Sequence, residues 1–428
     1  MTTMTTATTT ATAPTTKATA WTQAAPPPAP ASRRWIWLAA WPVTAVFILS
    51  NAATPLYVLW QRDIGFSRGT LTIVFASYIA GLIGSLLVSG VASDRIGRKP
   101  VLIPALALAA IACVIFATAS SVAALITARL LSGIAVGAVV SAGMAAVADV
   151  AGPARRRLAA LLASSAMVLG AGLGPLLAGV LSETLPAPTV TVFLAEIVLL
   201  ALAFAVVVRM PLPRPAEGPG RRTGGSWVRL PKVPRGAGGR LLAGAAAFAP
   251  GLTATSFVLS LGPSLLSGLL GTTSRAMAGG MAFAMFLTST AVQFAVRRLR
   301  VRTILLAASV STAVSMAALI GAVRTSSVVL LAAAAIVAGA GQGMGQLGGL
   351  SLLNSTVPAG RLAEANAALN VSGYLPAGLL PVAAGYLSDA VGLTSGATTF
   401  GVALIGLAAT GGLVIAKGRG SAGTTGSV

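Results

Sequence analysis

The chain has 428 residues, 56% of them hydrophobic and 9% charged, with 29 lysines and arginines against 8 acids. An ordinary soluble domain carries roughly 25% charged residues, so this composition excludes one, and its apolar content is enough for roughly twelve spans at ~20 residues each. Histidine is absent and cysteine occurs once, at Cys113, which excludes imidazole acid–base chemistry, intrachain disulfides and thiolate metal sites.

Residues 1–32 are rich in Thr, Ala and Pro, lack an apolar run, and are expected to be a disordered cytoplasmic tail. Ser32-Arg33-Arg34 superficially suggests a twin-arginine signal; the many spans that follow make it the basic flank of the first helix instead. Apolar stretches between charged or Gly/Pro breaks predict helices at 35–60, 69–92, 100–119, 122–150, 158–181, 189–210, 241–262, 276–296, 303–323, 327–353, 362–387 and 393–416. A basic linker at 211–240 separates a first bundle (33–210) from a second (241–417), and 418–428 is expected to be a second disordered tail.

The two bundles repeat one another. Gly172 to Glu183 and Gly378 to Asp389 are identical at seven of twelve positions, and Gly133 and Gly137 recur as Gly339 and Gly343. Of the 29 basic residues, 24 fall in the tails and in the loops on their side, four in the opposite loops, and one, Arg129, within a span. That bias predicts cytoplasmic termini. It also accounts for the net charge of +21 without nucleic acid, and the linker's basic run is assigned to the membrane surface.

Between the second and third helices the sequence reads Gly90-Val91-Ala92-Ser93-Asp94-Arg95-Ile96-Gly97-Arg98-Lys99. Gly90 suits close helix approach, Gly97 a tight turn, and Asp94 the positive end of a neighbouring helix. The basic members can pair with Asp149 at the end of the fourth helix. The equivalent loop of the second half, Arg297 to Arg302, has neither the Gly nor the Asp.

Gly170, Gly174, Pro175 and Gly179 give the fifth helix a small-residue stripe with a kink point. Arg129 costs at least ~2.5 kcal/mol in a span and needs a partner; Glu196 is the one acid inside a span, at a similar depth. The two are expected to form a buried pair or proton site, with snorkelling to the interface as the alternative. Asn51, Gln342, Gln346, Asn370 and Tyr374 are candidates for a polar cavity, with Thr253 and Ser256 beside them. Gly343-Met344-Gly345-Gln346-Leu347-Gly348 matches a nucleotide-binding pattern but lies inside an apolar span, which rules that role out.

The Asp94 loop resembles the signature loop of the major facilitator superfamily. Arg129 to Gly133, Gly170 to Gly179 and Asn51 to Pro55 resemble its fourth-helix, antiporter and first-helix stretches. The resemblance covers residues 35–417 and implies twelve helices in two pseudo-symmetric six-helix bundles. It further implies a cytoplasmic gate in which Asp94 meets the eleventh helix, and export of a small organic compound, with proton antiport as one form of coupling. Uptake or facilitation by the same fold is the alternative, and a non-transporting receptor or scaffold a third. No catalytic residues, cofactor or metal are expected. The partners are a small-molecule substrate, protons and the bilayer; the chain is expected to be a monomer in the plasma membrane.

Overall fold

The computed structural model describes residues 32–212 and 238–417, except 269, 270, 272, 273, 356, 359 and 360, together with Thr3 and Trp227. Apart from Thr3, Ser32, Trp227 and the linker's edges, both predicted tails and the basic linker lie outside the described residues. Among the described residues, twelve helices are long and apolar enough to cross a membrane: α1 (Arg33–Ile64), α2 (Arg68–Ile96), α3 (Lys99–Ala117), α4 (Val122–Ala151), α5 (Pro153–Thr184), α6 (Pro188–Arg209), α7 (Gly238–Gly268), α8 (Arg275–Val296), α9 (Val301–Thr325), α10 (Val328–Asn354), α11 (Glu364–Val391) and α12 (Leu393–Lys417). They match the predicted helices, most extending a few residues further. An even number of spans returns the chain to the side it starts from. That side, with Arg33 and Lys417, is the termini face; the other is the far face.

Local chemistry sets the helix ends. Four helices start at the far face behind a serine whose hydroxyl accepts an otherwise unpaired N–H: Ser67 from Thr70, Ser121 from Ala124, Ser274 from Met277 and Ser327 from Leu330. These caps begin α2, α4, α8 and α10, so each half repeats the same pair. Inside α1, Pro55 lacks the N–H that would continue the ladder. The helix breaks after Ala52, passes through a 3₁₀ turn at Thr54–Leu56, and resumes at Tyr57–Ile64. In α4 a π turn at Val139–Gly143 offsets the last two turns, which carry Asp149.

Small residues let the bundles close. A methyl group at Gly133 would overlap the Tyr78 carbonyl of α2, and one at its repeat partner Gly339 would overlap the Met285 carbonyl of α8. Gly137 meets Ser85 and Leu82 of α2 as Gly343 meets Ser289 of α8. The sequence repeat is therefore a repeat of packing. Gly133→Ala should lower thermal stability by about 1–3 kcal/mol through overpacking. Gly84→Ala, with open space around it, should be neutral or mildly stabilising, as helix propensity dictates. Unfolding of the two variants in detergent checks the contrast.

Candidate functional site

At the termini face the α2–α3 loop is built around Arg98. Its Nε donates to Asp149 Oδ2 at 2.9 Å, and Nη1 donates to Asp94 Oδ1 at 2.7 Å and Ser93 Oγ at 2.8 Å. Burial disfavours the cation, but the hydrogen bonds and charges of Asp94 and Asp149 outweigh it and raise the Arg98 pKa. Gly97 holds a φ of +102°, the conformation glycine adopts at no steric cost. Lys99 Nζ donates to the Val208 carbonyl at the end of α6 (2.7 Å), and Arg95 stacks on Trp227 of the linker at 4.7 Å.

In this conformation Asp94 binds Arg98 and, among the described residues, makes no bond to α11, so the loop braces α2 to α4 within one half. The reason lies in where the halves touch, as described below. Gly90 does not mark a close approach, since a methyl there would stand 3.9 Å from Ser141 Cβ, an ordinary contact. In the second half Arg302 donates to the Ala416 carbonyl at the end of α12 (2.7 Å), as Lys99 does at the end of α6. The basic tie is repeated although the acid is missing.

Arg129 is fully buried in α4. Its Nε donates to Tyr57 Oη and its Nη1 to the Ser50 carbonyl at 2.7 Å, beside the break in α1. Tyr57, Phe75, Tyr78 and Phe116 present their rings 5.1 to 5.9 Å from the guanidinium carbon, within cation–π range. Nη2 has no hydrogen-bond partner. The expected ion pair with Glu196 is not formed. Glu196 is also buried, but it faces the α1 backbone at Leu49, and its Oε1 has no partner. Similar depth did not bring the two together because helix rotation, set by packing, aims each side chain. Neither snorkels.

The α5 stripe serves two neighbours. Gly170 and Gly174 lie under the Thr44 and Ile48 carbonyls of α1, within the half. Gly179 lies under the Arg275 carbonyl, and Pro175 receives Gly279, both of α8 in the other half. Among the cavity candidates, Asn51 is buried and tied to Ser50 Oγ (3.0 Å) and the Ala171 carbonyl (3.4 Å), which makes it a strut between α1 and α5. Thr253 and Ser256 are buried, and Thr253 donates to the Ala249 carbonyl of its own helix. Gln342 is half-buried with an unpartnered Oε1, while Gln346 and Asn370 are half-buried. Tyr374 lies beside Tyr78 of the other half. Asn366, also half-buried with a buried, unpartnered Oδ1, joins these candidates; its signal in the sequence is its place four residues before Asn370, on the same helix face.

The polar contacts that join the halves gather at the far face. Asp389 at the end of α11 accepts from the backbone N–H groups of Arg68 (3.0 Å) and Gly69 (2.8 Å) at the start of α2. Glu183 at the end of α5 accepts from Arg275 N and Ala276 N (3.1 Å) at the start of α8. Gln61 accepts from Ser264 Oγ at 3.1 Å. The glycine contacts across the α5–α8 seam run from Gly172 to Gly179, and those across α2–α11 from Gly378 through Gly385 to Gly69. These are the far halves of all four helices.

Known proteins agree with this architecture. A sequence profile of the Major Facilitator Superfamily matches residues 36–381. Multidrug resistance protein MdtL of Escherichia coli O45:K1 is 33% identical over 116 residues, 26% of this chain and 30% of the relative; MdtL of Escherichia coli O139:H28 is 32% identical over the same length. Those matches span less than a third of the relatives. A bacterial homolog of the human lysosomal transporter Spinster, in an inward-facing and unoccupied conformation, superposes with a TM-score of 0.71 at 15% identity, covering 90% of this chain and 98% of that one. A D-xylose-proton symporter gives 0.70 at 17% identity, covering 88% and 97%. The chain belongs to the Major Facilitator Superfamily: a membrane transporter rather than an enzyme.

Proposed function

We propose that the protein is a secondary exporter of small organic compounds, lying in the cytoplasmic membrane with both termini inside. The observation that carries the reading is the α5 stripe. Gly170, Gly174, Pro175 and Gly179 pack α5 against α1 and α8 together, so one continuous helix links the broken first helix of its own half to the seam with the other. The partial likeness to MdtL, named a multidrug resistance protein, supports export. The far-face contacts and the free state of Asp94 with respect to α11 support a conformation open to the cytoplasm, from which an exporter loads. In the opposite conformation Asp94 would reach α11. The chain works as a monomer and needs no cofactor, since the energy comes from an ion gradient across its two rocking halves.

Glu196 is the buried acid through which proton coupling acts. In proteoliposomes, a panel of cationic, neutral and anionic compounds should include one that exchanges in counterflow and is driven out faster by an opposing proton gradient. Glu196→Gln should keep counterflow and lose most of the gradient's effect. Gradient-driven accumulation in the direction of proton entry would instead identify an uptake symporter, and exchange with no response to the gradient a facilitator.

A further inference from the structure

Glu183 and Asp389 occupy matching places in the sequence repeat, and each reaches across to the first residues of the opposite half's second helix. Asp389 accepts from Arg68 N and Gly69 N, and Glu183 from Arg275 N and Ala276 N. The positions behind them match too. Gly385 lies under the Arg68 carbonyl as Gly179 lies under the Arg275 carbonyl, and Ser67 caps α2 as Ser274 caps α8. A duplicated half therefore builds the same clasp twice, once in each direction across the interface.

We propose that Glu183 and Asp389 are paired proton-binding clasps that hold the far face closed when ionised and release it when protonated from the far side. An ionised carboxylate suits this place, because the unpaired N–H groups and positive end of a helix favour negative charge. The charged groups around each clasp reinforce that preference. Asp389 has the Arg68 guanidinium at 3.9 Å, and Arg62, itself paired with Asp63 at 3.1 Å, lies in the crevice next to it. Glu183 faces Arg275, whose Nη2 donates to the Ser182 carbonyl at 2.6 Å. Neither carboxylate is sealed away. A crevice of about 390 Å³, lined by Gln61, Arg62, Arg68, Ser264 and Asp389 among others, opens beside the Asp389 clasp.

The sign follows from linkage. The helix-start N–H groups bond an ionised carboxylate better than a protonated one, so acid on the far side favours the open far face. On the transport reading, the state that discharges substrate is then the state that takes up protons. The clasp itself is tested without transport.

Spin labels at Thr184→Cys with Thr325→Cys, and at Ser120→Cys with Ser395→Cys, sit at exposed far-face positions of both halves, with Cys113 buried and silent. Distances in lipid nanodiscs at about pH 7.5 and about pH 4.5, the latter near the ordinary carboxyl range, report the far gate. Asp389→Asn and Glu183→Gln should each raise the far-open population about threefold and the double variant about tenfold. Wild type at the lower pH should move part of the way toward the double variant, the double variant should not respond to pH, and Glu196→Gln should respond as wild type does. The charge-retaining Asp389→Glu and Glu183→Asp should stay pH-responsive, separating loss of charge from misfolding. Wild-type distances in the double variant, or a pH response that survives in it, would overturn the proposal.

Discussion

Arg129→Gln should reduce transport about a hundredfold while the protein still inserts and folds, and Arg129→Lys should not restore it. The guanidinium makes two bonds at once, to Tyr57 Oη and the Ser50 carbonyl, and both partners flank the break that Pro55 imposes on α1. The segment beyond that break, Tyr57–Ile64, carries Gln61, which bonds Ser264 across the halves. Arg129 thus sets the angle of a segment that takes part in far-face closure. Charge-assisted hydrogen bonds contribute about 1.5–3 kcal/mol each, and about 2.7 kcal/mol of misplacement is a hundredfold in rate. Lysine offers a compact point charge without the planar fork, and it cannot span a hydroxyl and a carbonyl in the same way. Tyr57→Phe removes one of the two bonds and should cost about tenfold. Rates in proteoliposomes, with thermal unfolding of the same preparations, check the series; full activity in Arg129→Lys would show that charge alone suffices.

The second large effect belongs to Arg98. Arg98→Ala should slow transport at least tenfold, since it releases Ser93, Asp94 and Asp149 together and unties the ends of α2 and α4. Exposed ion pairs contribute about 0–1 kcal/mol, but the Arg98 side chain is only 22% exposed and makes three hydrogen bonds. Asp149→Asn should be milder, because Arg98 keeps Asp94. Asp94→Asn should lose transport while lowering the thermal stability of the cytoplasm-open form by at most about 1 kcal/mol, because its exposed bond to Arg98 contributes little and its proposed contact with α11 belongs to the other conformation. The raised pKa of Arg98 means that the brace keeps its cation across the acid and neutral range and loses it only in strong alkali.

Much of the fold was legible in the chain. Helix number and extent followed from apolar runs, and the repeat of Gly133 and Gly137 as Gly339 and Gly343 marked positions where α4 and α10 touch α2 and α8. Gly97 was legible because a positive φ needs glycine. The serine caps of α2, α4, α8 and α10 had a readable signal, a Ser directly before each apolar run. What stayed hidden depends on rotation about helix axes and on which helices meet. Arg129 and Glu196 share a depth, yet one turns to Tyr57 and the other to Leu49. Glu183 and Asp389 were visible as repeat partners, but their role depends on helix starts some 90 and 320 residues away, which no local pattern encodes. Asn51 read as a cavity residue and is a strut, because its amide finds a carbonyl on α5.

The most direct test of alternating access uses the contact between Gln61 and Ser264, where the oxygen atoms stand 3.1 Å apart across the two halves. Gln61→Cys with Ser264→Cys, joined by a short thiol crosslinker, would fix the far face shut. The account predicts that the crosslinked protein loses counterflow of any compound it otherwise exchanges, and that cutting a reducible crosslink restores the rate. Undiminished counterflow through fully crosslinked protein would contradict it.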